Sequence, residues 1–332
     1  MAQPETLRIA EDDADSLALA VEAAARHLAA GRLVVVPTET VYGLAADATN
    51  DRAVAAIFAA KARPGFNPLI AHVADEAMAR EHGLFNKDAL RLSAAFWPGP
   101  LTLVVPKQPA SPIGPAVTAG RDTVALRMPA TRLMRCLAAK LGRPIAAPSA
   151  NRSGRVSPTV AAAARAEIGA HVALIVDGGA CPVGVESTIV ACLDGGPALL
   201  RPGGIPRPAI EAALGKPLAM VVDEPVDEPA APGMLASHYA PAALVRLNAE
   251  SVAPGEALLA FGPVPAEGWQ NARAMLNLSP EGDVTEAAAN LFAHLRALDD
   301  SGASTIAVMP IPEAGLGEAI NDRLRRAAAD RP

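Results

Sequence analysis

Apolar, β-rich stretches that stop abruptly at proline, glycine or a knot of polar residues recur through the first two hundred residues, and this punctuation constrains the fold more than any other feature. The segment "VVVPTETVYGLAADA" (34–48) sets the pattern: three β-branched residues, Pro37, then Thr38, Glu39 and Thr40 before Tyr42 and Gly43. Proline lacks the N–H that a ladder needs, so such strands end where the polar residues begin. With 33–36, comparable runs at 68–73, 100–106, 123–129, 144–149, 172–179 and 187–193 make seven expected strands. Several end in "PTET", "RMP", "PSAN", "VDGG" or "RPGG". A strand fixes a side chain while the chain exit exposes it, so these ends are expected to converge on one rim and form a ligand site.

Few helices interrupt this reading. "DSLALAVEAAARHLAAG" has helical apolar spacing, a cap at Asp15 or Ser16, and Gly31 as its stop. A second helix near 52–60 must end before Pro64. From Gly215 the chain turns acidic, proline-rich and aperiodic in "KPLAMVVDEPVDEPAAPGM", which reads as a linker. Beyond "HYAP", strands at 243–247, 257–262 and 305–311 and helices at 285–300 and 317–329 predict a small open α/β domain. The expected organisation is a first domain over 8–215, a linker over 216–241 and a C-terminal domain over 242–332.

Composition excludes several classes. No apolar run reaches the roughly 18 residues of a membrane span, and the acidic start lacks a basic n-region, so a cytoplasmic protein is expected. Cys136, Cys181 and Cys192 are too scattered for a disulfide framework or a zinc site and read as buried apolar residues. A net charge of −6 argues against broad nucleic-acid binding, although a local basic cluster can still hold a small anion.

Neither GxxxxGK[ST] nor GxGxxG is present, so a P-loop or dinucleotide site is unsupported. "KARPGFNPLIAH" instead offers Lys61, Arg63, Asn67 and His72 around a proline-stiffened loop; its cations suit a polyphosphate, or Lys61 serves the helix C-terminus. Arg127, on the same face of an apolar strand as Thr123 and Ala125, needs a buried partner, either a substrate carboxylate or an acidic side chain. "PSANRSGRVSPT" is rich in hydroxyls, and Ser157 before Pro158 has the form of a helix start with Ser as N-cap. "GVESTIV" joins Glu186 to Ser187 and Thr188, and "LLRPGGI" puts Arg201 beside two glycines. No Ser/His/Asp set, Cys/His pair or hydrolytic carboxylate pair is identifiable.

In order, "PTETVYGLAADA", "KARPGFNPLIAH", "FWPGPLTLV", "TVALRMP", "APSANRSGRVSPT", "DGG", "GVESTIV" and "LLRPGGI" resemble the YrdC-like family of threonylcarbamoyl-AMP synthases, and "PGMLASHYAP" with the tail resembles its two-domain form. The resemblance implies a twisted, mostly mixed α/β sheet with helices around a concave cavity, followed by a small Rossmann-like α/β domain. It implies a nucleotidyltransferase that joins L-threonine, bicarbonate and ATP into threonylcarbamoyl-adenylate and pyrophosphate, with Mg²⁺ expected. Downstream proteins would pass the group to tRNA, which this chain is not expected to hold tightly. Carried over by motif, the threonine contacts fall on Thr40, His72, Arg127, the backbone at Ala147, and Ser187. Those for ATP fall on Arg63, Asn67, Thr123, Ser149, Ser157, Arg201 and Tyr239, with Lys61, Arg63 and Arg201 expected to act on the phosphates. The segment 232–241 is read as a lid; Ala231 and Ser237 stand where the family has a serine and a basic residue. An RNA-binding module, or carbamoyl-adenylate transfer to another metabolite, is the alternative.

Overall fold

The computed structural model describes residues 4–220 and 237–330. In the first part the strands are β1 (Glu5–Arg8), β2 (Val34–Val36), β3 (Gly43–Asp47), β4 (Ile70–His72), β5 (Leu101–Pro106), β6 (Thr123–Arg127), β7 (Ile145–Ala146), β8 (Leu174–Asp177), β9 (Thr188–Leu193), β10 (Gly196–Arg201) and β11 (Ala219–Met220). They form one mixed sheet in the order β1-β8-β2-β3-β7-β4-β6-β5-β9-β10-β11. Its helices are α1 (Ala14–Ala29), α2 (Asp51–Lys61), α3 (Glu76–His82), α4 (Lys87–Phe96), α5 (Pro115–Thr118), α6 (Arg132–Leu141), α7 (Ala161–Ile168) and α8 (Arg207–Leu214). All three valines of β2 are buried, as expected of a strand covered on both faces. Leu44, Ile57 and Leu103 belong to one core cluster and Leu28, Val34 and Leu137 to another.

Four sequence expectations change. The first part is far more helical than expected: α6, for example, has Leu133, Met134, Leu137 and Ala138 buried at helical spacing and a left-handed Gly142 after its last turn. The helix expected to begin at Ser157 begins at Ala161, because the Ser157 hydroxyl is engaged by Glu186 instead. Thr38, Glu39 and Thr40 are buried rather than exposed, since the chain turns straight back into β3, antiparallel to β2. Cys181 and Cys192 are buried but Cys136 is exposed. The sheet also takes β1 and β11 from the margins of the 8–215 span.

The second part contains β12 (Leu244–Arg246), β13 (Ala257–Ala260), β14 (Met275–Asn277) and β15 (Thr305–Val308), all parallel in the order β12-β15-β13-β14, with α9 (Val284–Asp300) and α10 (Gly317–Ala328). Asp283 caps α9 through the Thr285 N–H. Of the expected lid, residues 232–236 and most of the linker lie outside the described residues; 237–241 are described and pack inward, His238 and Tyr239 being buried. No helix among the described residues is long and apolar enough to cross a membrane.

The two parts press closely together. Ion pairs Arg207–Glu318, Arg296–Glu167 and Arg323–Glu186 cross between them. Gly184, at φ 77°, lies so near α9 that a Cβ there would sit 2.3 Å from the Ala288 oxygen and 2.4 Å from the Ala289 Cα. Gly184→Ala should therefore destabilise the protein by about 2–4 kcal/mol, combining overpacking with left-handed backbone strain. Denaturant unfolding measures this, and an unchanged midpoint would mean that the contact is not tight.

Candidate active site

The sheet brings residues from eight loop and strand segments to one cavity of about 50 Å³, lined by Thr40, Val41, Arg63, Ile70, His72, Arg127, Ala147, Pro148, Ser149, Glu186, Ser187, Arg201, His238 and Tyr239. Nine of the thirteen residues expected from sequence are in that lining, and Lys61, Asn67, Thr123 and Ser157 are not. A volume of this size holds one or two waters, much less than a nucleotide occupies.

One pole is built around Arg127. Parallel pairing of β4 with β6 sets His72 beside Arg127 in register, so both side chains project from one face. The guanidinium donates from Nη1 to Thr40 Oγ1 at 3.0 Å and from Nε to the Gly99 carbonyl at 3.3 Å. Nη2 lies 2.7 Å from Glu39 Oε1, but neither partner makes an aligned hydrogen bond there, so charge more than a directed bond holds the pair. Burial pushes the Glu39 carboxyl up, yet the Arg127 charge and contact bring it below its ordinary value. The buried arginine thus has the acidic partner that one of the two sequence readings asked for, and its fork still has further N–H donors. Ser187 Oγ, 2.7 Å from Thr102 Oγ1, stands at the head of β9.

The other pole is cationic. Arg63 donates to the carbonyls of Asn67 and Pro68 at 3.3 and 2.9 Å. Arg201 donates from Nη2 to the Ser187 carbonyl at 2.9 Å and to Ser187 Oγ at 3.3 Å. Both are buried, and burial lowers both pKa values. Asn67 is wholly buried, and its side-chain amide finds no hydrogen bond among the described residues, which is costly in itself. Lys61 differs from expectation: its ammonium donates to the Ser149 and Asn151 carbonyls at 2.6 and 2.5 Å, pinning the loop behind Ser149 rather than facing the cavity. Thr123 stands at the start of β6, half-buried and away from the lining.

Residues 26–203 match the family model Sua5_yciO_yrdC, which carries the description Telomere recombination, and residues 205–329 match that of the threonylcarbamoyl-AMP synthase C-terminal domain. The threonylcarbamoyl-AMP synthase of Pyrococcus abyssi is 40% identical, with 94% of each chain covered. That of Bacillus subtilis is 39% identical over 93% of this chain and 92% of its own. This chain belongs to the Sua5 family of threonylcarbamoyl-AMP synthases. The crystal structure of P. abyssi Sua5 complexed with L-threonine matches with a TM-score of 0.87, at 36% identity and 98% coverage of both chains. Escherichia coli YciO, 19% identical with a TM-score of 0.52 over 61% of this chain and 96% of its own, shares the fold.

Within this Sua5-family cavity, sequence reasoning noted Glu186 in "GVESTIV" without giving it a role, covered His238 only as part of the 232–241 segment, and expected an acidic partner for Arg127 without naming Glu39. Glu186 directly precedes Ser187 and His238 precedes Tyr239, so adjacency to an expected ligand was the available signal. His72 donates Nδ1–H to the Ile145 carbonyl at 3.3 Å, which leaves Nε2 as an acceptor. Burial first, and the Arg127 charge second, pull its pKa from 6.5 to about 3. A lowered histidine pKa means that the unfolded chain binds the proton the folded one refuses, so stability falls as pH drops from 6.5 towards 3. His72→Gln should flatten that decline by up to about 1.4 kcal/mol per pH unit, read from denaturant unfolding across the range. An unaltered slope would show that His72 does not carry this linkage.

Proposed function

We propose that this cavity is where L-threonine, bicarbonate and ATP become L-threonylcarbamoyladenylate and pyrophosphate, the activity named for its family. The observation that carries the reading is the presence, in one small cavity, of a pole suited to an amino acid and a pole suited to phosphate. Arg127, Thr40, His72, Ser187 and the Ala147 backbone form the first; Arg63, Arg201 and Ser149 form the second, with Asn67 beside it and Tyr239 as a wall. Arg127 favours an amino acid over a bare carbamoyl group, because only the former brings a carboxylate to its fork. The domain division, about 8–215 and 242–332 around the linker, is part of the same reading, as are Thr123 and Ser157 as more distant ATP contacts.

The residues suit the chemistry. The threonine amine and bicarbonate condense with loss of water to a carbamate that is already anionic, so its oxygen can attack the α-phosphorus of ATP without a strong general base; pyrophosphate departs as the new P–O bond forms. What remains is alignment and offset of charge, which Arg63 and Arg201 supply from fixed positions. Lys61 supports this second pole by fixing the Ser149–Asn151 loop.

Magnesium enters this scheme with its nucleotide. No cluster of His, Cys, Asp or Glu among the described residues could hold a metal, and Glu39 and Glu186 are each paired with an arginine. The substrate is accordingly written as MgATP. The activated product then passes to enzymes that modify tRNA, and a net charge of −6 speaks against tight tRNA binding by this chain. A cytoplasmic site of action fits that role.

Pyrophosphate release, followed with threonine and bicarbonate omitted in turn, tests the reaction: dependence on both is expected, and release without threonine would sink it. Arg127→Lys keeps the charge but not the fork, so threonine affinity should fall by roughly 1.5–3 kcal/mol, and an unchanged threonine KM would refute its role. Arg63→Ala or Arg201→Ala should lower kcat at saturating ATP by roughly a hundredfold, because charge grows towards the transition state. A rise confined to the ATP KM would instead mark these residues as ground-state binders.

A further inference from the structure

One carboxylate on the cavity wall is held from outside the domain that builds the cavity. Glu186 is buried beside Arg201 and Ser187 in the lining. A negative group in a cavity that is to take phosphate is harmful twice over: it repels the nucleotide, and it competes for the arginines meant to hold it. Its neutralisation comes from two sides. Oε1 accepts the Ser157 hydroxyl at 2.6 Å, and Oε2 accepts Arg323 Nε at 2.9 Å. Arg323 belongs to α10 of the second domain and is the largest fully buried side chain described.

The remaining contacts of Arg323 converge on the same place. Nη2 donates to the Pro202 carbonyl at 3.0 Å, one residue after Arg201. The guanidinium lies 5.1 Å from the centre of the Tyr239 ring, which stacks on Phe292 of α9 at 5.6 Å and also lines the cavity. Asp322, adjacent in α10, takes Nη1. Fastening the domains does not require this arrangement, since Arg207–Glu318 and Arg296–Glu167 already cross the interface and a buried ion pair is a poor source of net stability.

We propose that Arg323 is a positioning residue for ATP: from the second domain it gives Glu186 a bound cationic partner, so that Arg201 and Arg63 are not the sole counter-charges of that carboxylate when they meet the phosphates, and it backs Tyr239 at the cavity wall. Burial alone would raise the Glu186 carboxyl, but Arg323 and then Arg201 hold it below its ordinary value, so the group is a full charge that needs this partner. The proposal rests on the assignment of Arg63 and Arg201 to the phosphates.

The test compares Arg323→Gln, Glu186→Gln and the double variant in the full chain, with Arg201→Ala in parallel. Arg323→Gln strands a buried carboxylate, so kcat/KM for ATP should fall about tenfold or more while the threonine KM at saturating ATP stays within about threefold. Adding Glu186→Gln removes the stranded charge and should bring kcat/KM for ATP back to within about threefold of the natural protein. Loss of both substrates' affinities together, with no recovery in the double variant, would show a merely structural residue and overturn the proposal, as would an unaltered kcat/KM for ATP. If Arg323→Gln does not fold, Arg323→Lys takes its place; the same selective loss and the same recovery by Glu186→Gln are then required. An Arg201→Ala protein with natural ATP kinetics would refute the phosphate assignment itself, a result separable from the behaviour of Arg323.

Discussion

A cavity walled by arginines that scarcely touch solvent is the constraint on which the rest of this structure depends. Taking a guanidinium out of water is costly unless its donors are met, and here each arginine has at least one main-chain carbonyl among its partners: Asn67 and Pro68 for Arg63, Gly99 for Arg127, Ser187 for Arg201, Pro202 for Arg323. Such carbonyls are available only where the chain leaves a ladder. Pro68, Gly99 and Ser187 stand within two residues before β4, β5 and β9, and Pro202 directly follows β10. Lys61, bound to the Ser149 and Asn151 carbonyls, follows the same rule.

The two glutamates complete the charge balance in different ways. Glu39 sits beside Arg127 with charge but without aligned hydrogen bonds, leaving that arginine with donors to spare. Glu186 is bound by Ser157 and Arg323, while Arg201 donates to Ser187. The cavity thus keeps an excess of positive charge although the protein as a whole is acidic at −6.

Much of this was legible in the chain, for identifiable reasons. β5 and β9 announce themselves by β-branched runs with proline or glycine nearby, and the ordered motifs placed nine expected residues around one cavity. β3 was missed because "GLAAD" has weak strand propensity; pairing with β2 and β7 makes it a strand. α6 was missed despite its signals, Thr131 before it and Gly142 after it. Ser157 followed by Pro158 has the local form of a cap, but a buried carboxylate 29 residues on outbids the helix for its hydroxyl. The Arg323–Glu186 pair spans 137 residues, and no spacing rule reaches that far.

Tyr239 gives the architecture a further meaning. One face of its ring stacks on Phe292, Arg323 lies within cation–π distance, and the same residue lines the cavity formed by the first sheet. The two domains are consequently not interchangeable modules. A first domain grafted onto a foreign partner, or isolated by trimming the last helix, would carry an unaccompanied buried carboxylate and an incomplete wall. A joined domain that lacks either the arginine or the aromatic platform leaves that seam incomplete.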